Sequence, residues 1–443
     1  MSPLPTFRPV YLLSIVIVAT TTGLQAQPTV TTYAQGLTRP MGIEVDGQGR
    51  LWVAQQGSGH DDSQIAIVTT DGQVHPFIDG LPSGMNPAND VTGSSQTYFD
   101  DAGNLIIVQG QGPRALSASI LFVDTAGFSP GNTPLTPAAV HTVYAIGSFM
   151  ADEGFGAETN PFSVAFGSNG DMFITDAAAN ALVRREAETG TLSVLTTFAK
   201  VRNDTGIGTE VVDAVPTGIL LADDHLYVSS FTGFPFGDGA ASIYDVDLEG
   251  KVSIFKSGLT TLVDIEIDPS DGEMVVLQHA AFKPPPPFAE NSGAVLKLRG
   301  DGSVEVLVSG LSRPSAMRFS PSGDLFISLL LDGEILKVEG IATASEPEGL
   351  PGTSFHVVNY PNPFSSQTTI GYQLAETGRV SITISDALGR EARRLTDAVE
   401  VAGPHQAIWD GRDNTGKPAA SGVYLYRIAS EKGVASWIGH LVR

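Results

Sequence analysis

The chain of 443 residues contains no cysteine. Disulfide staples, thiolate metal sites and cysteine nucleophiles are therefore excluded. Basic residues are scarce, 25 Lys and Arg against 48 Asp and Glu, giving a net charge of −23. A field of that sign repels nucleic acid and anionic membrane surfaces, so neither is expected as a partner. No apolar run approaches the ~20 residues that a spanning helix needs. The run Val10 to Thr20 follows Arg8 and leads to Leu24-Gln25-Ala26, the pattern of an export signal, which predicts residues 1–26 as a signal peptide. The remainder is expected to be exported, monomeric and without a transmembrane segment. Also lacking are HExxH and GxxxxGK[ST], and the glycines of GQGPR at Gly110 have no strand-to-helix context for a phosphate loop.

What is present is repetition. GLTRPMGIEVDGQGRLWV, Gly36 to Val53, returns as GLSRPSAMRFSPSGDLFI, Gly310 to Ile327. Each copy alternates apolar and polar residues on either side of a Gly-containing turn, the period of a β-hairpin. Its second strand recurs as LWVAQQ, LIIVQG, MFITDA, LYVSSF, MVVLQH and LFISLL, starting at positions 51, 105, 172, 226, 274 and 325. The intervals are 54, 67, 54, 48 and 51 residues. A period near 50 made only of strands predicts a six-bladed β-propeller of four-stranded meanders over residues 27–340. The sixth unit ends at GEILKVEG with three strands, and TVTTYAQGL from Thr29 has the pattern of the missing fourth. The two ends of the domain are thus expected to pair and close the ring.

Two resemblances follow from these residues. GLTRPMGIEVDGQGRLWVAQQG, the run Val215 to Asp268 and TGFPF at Thr232 to Phe236 resemble the secreted six-bladed propellers of the ScyD/ScyE family, of the same all-β class as NHL and gluconolactonase-like propellers. That resemblance implies the fold and an exported location, and carries no catalytic set. The polar linker 341–354, IATASEPEGLPGTS, marks a domain boundary. Residues 355–443 then resemble the type A C-terminal sorting domain of the type IX secretion system, itself similar to the immunoglobulin-like module of flagellar hook-capping proteins. The motif is YPNPF, Tyr360, Pro361, Asn362, Pro363 and Phe364, followed by ITISDALGRE, WDGRDNTGKPAASGVYLYRI and Arg443. The resemblance implies a small β-sandwich, the type IX machinery and its sortase as partners, and passage through the periplasm of a Gram-negative cell to the surface or medium. Asn362-Pro363 imposes an extended entry to the first strand, and Trp409, Tyr424 and Tyr426 are expected in the core.

Candidate sites come from loop length and strand position. The connections after strand two of a blade and between blades are the long ones, and in a meander they share one face, which is the expected binding surface. It would gather Phe149, Phe155, Phe231, Phe234, Phe236, Phe282 and Phe288 beside acids such as Asp152, Glu158, Asp204, Asp213 and Asp238. Arg39, Asp90, Asn160, Asp264 and Arg313 are expected to open the innermost strands toward the central channel on that face. The leading reading is a non-enzymatic scaffold that binds a protein or glycan at the cell surface. The alternative is a secreted hydrolase or lactonase with Ca2+ as cofactor, since Ca2+ takes 6–8 oxygen ligands; the two arginines argue against a cation there. His60 with Asp61 and Asp62 is the best histidine cluster, and Asp410 and Asp413 in WDGRDNTG are read as a turn.

Overall fold

The computed structural model describes residues 28–86, 89–100, 102–283, 288–340, 357–360, 364, 367–374, 377–386, 390–420, 422–430 and 433–441. The expected signal peptide and the linker lie outside the described residues. Six four-stranded antiparallel sheets form the larger part. In blade 1 the order from the axis outward is Pro40–Val45, Leu51–Gln55, Ser63–Val68 and Val74–Leu81. Blades 2 to 5 repeat it, beginning with innermost strands Ser94–Phe99, Pro161–Phe166, Pro216–Ala222 and Leu262–Ile267. Blade 6 holds Pro314–Phe319, Leu325–Leu329 and Glu334–Glu339, and its outer strand is Thr29–Ala34, from the opposite end of the chain. Each innermost strand touches the next around a closed ring, so the chain is a six-bladed β-propeller closed by its N-terminal strand.

The second strands read as continuous apolar runs because both faces of a blade are buried. Side chains alternate along a strand, so Leu51 and Val53 enter the core shared with blade 6, and Trp52 and Ala54 the core shared with blade 2. Six such clusters, one per junction, hold the ring together. Several of the hairpin turns are built alike. Asp46 accepts the Gln48 and Arg50 amides on Oδ1 while Gly49, at φ 76°, donates back to its carbonyl. Asp100 and Asp247 make the same pair of bonds, so the DGQG-type stretches are turns rather than sites.

The 67-residue interval has two causes. The last turn of blade 2 is stretched over residues 125–139, and its Leu135 pairs with Ile78 and exchanges backbone bonds with Phe77 and Asp79, extending blade 1 at its edge. Helix Ile146–Asp152 then buries Ile146 and Met150 at the junction of blades 2 and 3.

The C-terminal part pairs Val357–Tyr360, Thr368–Leu374 and Gly403–Trp409 in one sheet and Gly378–Asp386, Glu391–Glu400, Gly422–Ser430 and Gly433–Leu441 in another. Its own core contains Trp409, Tyr424 and Tyr426, as the sequence indicates. Phe364 is buried against Trp409, with ring centroids 5.3 Å apart, while Pro361, Asn362 and Pro363 lie outside the described residues. Asp413 Oδ1 accepts the Thr415 and Lys417 amides, so WDGRDNTG is a turn.

Candidate functional site

The long loops do emerge together, and they make three distinct features. The first is an aromatic strip on blades 4 and 5. Phe288 stacks on Phe236 at 5.2 Å and 28°, and Phe236 meets Phe231, Phe234 and Phe282 edge-on at 5.5 to 6.4 Å. Phe234 remains 56% exposed. Beneath the strip, His279 is buried between Phe231 and Phe288 and donates Nδ1–H to the Pro314 carbonyl at 3.0 Å. Burial pushes its pKa down to about 4, so it is neutral at physiological pH. Phe155 and Phe149 do not join the strip. They pack on the helix and strands at the junction of blades 2 and 3, a structural role that corrects the expectation for Phe155.

The loop that carries the strip is held in costly conformations. Thr232, at φ 76°, and Phe236, at φ 59°, sit in the left-handed region, where a β-branched residue is an outlier. The Thr232 hydroxyl is also buried without a partner. Strain of this kind, about 1–3 kcal/mol per residue, persists where surrounding structure enforces it and concentrates at ligand-binding loops.

Beside the strip lies the second feature, a cleft of about 540 Å3 between this loop and the hairpin Val201–Arg202 with Val211–Val212. Phe282 and Pro235 supply its apolar wall, and Arg202, Asn203, Asp204 and Asp238 its polar one. Its volume is that of a small-ligand site.

The third feature is the channel. Arg39, Gly93, Asn160, Val215, Thr261 and Arg313 occupy the equivalent position before each innermost strand, and the carbonyl of each accepts an amide from just beyond strand two of its own blade. Three of the five expected mouth residues therefore stand there. Asp264 does not: it lies two residues inside its strand, after a bulge between Leu262 and Asp264. Asp90 does not open a strand either, sitting in an exposed hairpin joining blades 1 and 2. Below the mouth, Met41, Phe162 and Ala177, with Val215 and Leu330, close the channel with apolar side chains. Asp90, Asn160 and Asp264 are not arrayed as a ring of oxygen ligands. Asp264 accepts the Ile265 amide on Oδ1 and the Met317 amide on Oδ2, both at 2.9 Å, and faces Arg318. Asn160 Oδ1 accepts the Gln111 amide at 2.8 Å. These occupied oxygens do not fit a resident Ca2+, and among the described residues no three His, Asp or Glu side chains converge as a metal site. His60, Asp61 and Asp62 are satisfied locally: Asp62 takes the Ser58 and His60 amides, and Asp61 pairs with Arg114.

Sequence reasoning missed a charged cluster deeper in the channel. Arg318 of blade 6 bonds Glu266 of blade 5, lies 3.6 Å from Glu44 of blade 1, and sits 5.8 Å from the ring of Tyr98 of blade 2. All four precede the last residue of their innermost strand, in GIEV, QTYF, DIEI and AMRF, and that alignment is the signal that could have revealed them. Burial pushes Glu266 up to about 8 and Asp264 up to about 6 against the opposing pull of Arg318. The folded protein thus retains a proton that the unfolded chain releases near 4.5. The contribution to stability is full on the acid side and declines as pH rises from about 4.5 to about 8. Glu266→Gln should flatten this part of the profile, melting several degrees above the parent at pH 8 and showing little gain at pH 5. Parallel melting profiles for the two proteins would contradict this.

Among known families, the FlgD Ig-like domain matches residues 362–433. No curated protein sequence matches the chain. Similar solved structures include the gluconolactonase XC5397 of Xanthomonas campestris, at 13% identity over 70% of this chain and 89% of that one, with a TM-score of 0.46. Virginiamycin B lyase of Staphylococcus aureus is 14% identical over 70% of this chain and 98% of that one, with a TM-score of 0.40. PorZ of Porphyromonas gingivalis, a surface component of the type IX secretion system, is 16% identical over 92% of this chain and 59% of that one, with a TM-score of 0.33. No helix among the described residues is long and apolar enough to cross a membrane.

Proposed function

We propose that the chain is an exported propeller that binds a glycan on its long-loop face, delivered by its C-terminal domain through type IX secretion. The observation that carries the binding role is the half-buried aromatic strip, with Phe234 exposed at its edge, bordering a cleft on a strained loop. Flat rings offer faces for the apolar side of a pyranose, and the cleft offers the Asp238 carboxylate and the Arg202–Asp204 pair for its hydroxyls. The catalytic alternative has less support, because the channel carboxylates are bonded to amides and to Arg318 rather than arrayed around a cation. The delivery role is supported by the C-terminal domain having its own core and by its YPNPF motif and WDGRDNTGKPAASGVYLYRI run.

The binding role is tested by titrating oligosaccharides against the full chain and Phe234→Ala/Phe282→Ala. Two aromatic anchors of an interface carry on the order of 2 kcal/mol each when truncated. Affinity is therefore expected to fall at least tenfold with an unchanged melting temperature. Equal affinity in parent and variant would remove the strip from the binding site.

A further inference from the structure

The mouth of the channel carries two arginines that make no direct ion pair among the described residues, with Asp90 the nearby carboxylate. Arg39 and Arg313 stand at equivalent positions of blades 1 and 6, which are neighbours in the ring. Both are half-buried. No ion pair among the described residues involves either guanidinium. Arg39 Nε makes one long bond, 3.4 Å, to the Gln56 side chain. Arg313 lies over the Phe288 ring at 5.7 Å. Each repels the other's charge, and burial together with that repulsion lowers the Arg39 pKa while Asp90 partly offsets it. Both also hold their backbones in the left-handed region, at φ 54° and 47°. In a chain of net charge −23, an unpaired arginine pair over an apolar floor of Met41, Phe162 and Leu330 is a local exception that asks for an anion.

We propose that this pair is a subsite for the carboxylate of an acidic sugar, and that the aromatic strip takes the neutral sugars next to it. The two features are continuous: Arg313 covers Phe288, Phe288 stacks on Phe236, and Phe236 meets Phe234 and Phe282 at the edge of the cleft. Guanidinium forks match a planar carboxylate in geometry, which a point charge does not. The overall acidity of the protein sets a further condition. A polyanion is repelled at long range, so the ligand is a largely neutral glycan carrying an isolated uronate. This inference rests on the glycan reading of the same face and adds the class of sugar and its orientation.

The test uses the full chain and oligosaccharides on xylan, glucan and mannan backbones, each bearing one uronate, beside the same molecules with that carboxyl methyl-esterified. Calorimetry should show at least one acid form binding roughly 10- to 100-fold tighter than its ester, the range expected for a hydrogen-bonded ion pair. Arg39→Gln/Arg313→Gln should erase that difference by lowering affinity for the acid form to that of the ester, with the melting temperature unchanged. Asp90→Asn, which relieves a nearby negative charge, should tighten the acid form several-fold. If no acid form outbinds its ester, or the double variant keeps the preference, the subsite is overturned while binding that depends on Phe234 and Phe282 still upholds the glycan reading. If the preference depends on the arginines but not on the phenylalanines, the strip assignment fails instead. Equal arginine-dependent binding of a peptide bearing one glutamate would overturn the sugar assignment.

Discussion

A chain trimmed to begin at Leu37 is expected to lose most of its propeller stability, far more than a chain lacking residues 355–443. The trimmed segment is the outer strand of blade 6. It pairs along Glu339, Val338, Lys337, Leu336 and Ile335, and it supplies Tyr33, whose ring meets Phe326 at 4.9 Å and whose hydroxyl bonds the Thr69 carbonyl. Ala34 is buried in the core between blades 6 and 1. Removing the strand strips several backbone bonds, worth about 1 kcal/mol each net. It also exposes an edge and uncovers part of that core. The loss, on the order of 5 kcal/mol, is comparable to the whole stability of many domains, about 5–15 kcal/mol. A fall in melting temperature of roughly 8 °C is expected. The C-terminal domain has a separate core, so its removal should leave the propeller's melting temperature nearly unchanged. An unaltered melting temperature in the trimmed protein would show that the ring does not depend on this closure.

How much of this was legible in the sequence depended on whether the information was local. The six second strands announce themselves because burial on both faces removes every polar residue from runs such as LIIV at Leu105. The closing strand was readable because KVSIFKSGL and SVEVLVSGL give its pattern elsewhere in the chain. The channel was harder, for two reasons. Proline marks the start of the innermost strand at Pro40, Pro161, Pro216 and Pro314, but blades 2 and 5 begin with Ser94 and Leu262 and have no such marker. Asp90 and Asp264 were the acids nearest the unmarked starts, and each falls three residues from the true opening. The charged cluster is non-local altogether. Glu44, Glu266 and Arg318 each occupy a place where a solvent-facing charge would also fit the alternation, and only the ring brings them together. The aromatic strip shows the same limit: seven loop phenylalanines were evident, but which five converge was decided by the packing of blades 4 and 5.

Deletion of residues 355–443 is expected to abolish surface delivery while sparing the propeller's fold. All six blades are complete by Glu339, and among the described residues the C-terminal domain adds no strand to them. A module that is dispensable for the core and joined by a polar linker is best explained by what reads it. An ordinary adhesive immunoglobulin-like domain would share the sandwich and the buried Trp409, which by themselves say nothing of export. The distinguishing feature is the YPNPF motif at the entrance, of which Phe364 also packs in the core. In a bacterium competent for type IX secretion, the truncated protein should accumulate folded in the periplasm. Fusion of residues 355–443 to a foreign periplasmic domain should carry that domain across the outer membrane, with the segment removed on export. Cell fractionation and surface proteolysis measure both outcomes, and mass spectrometry of the exported product locates the cut. Surface levels equal to the parent's in the truncated protein would leave the domain as an adhesive module and defeat the sorting role.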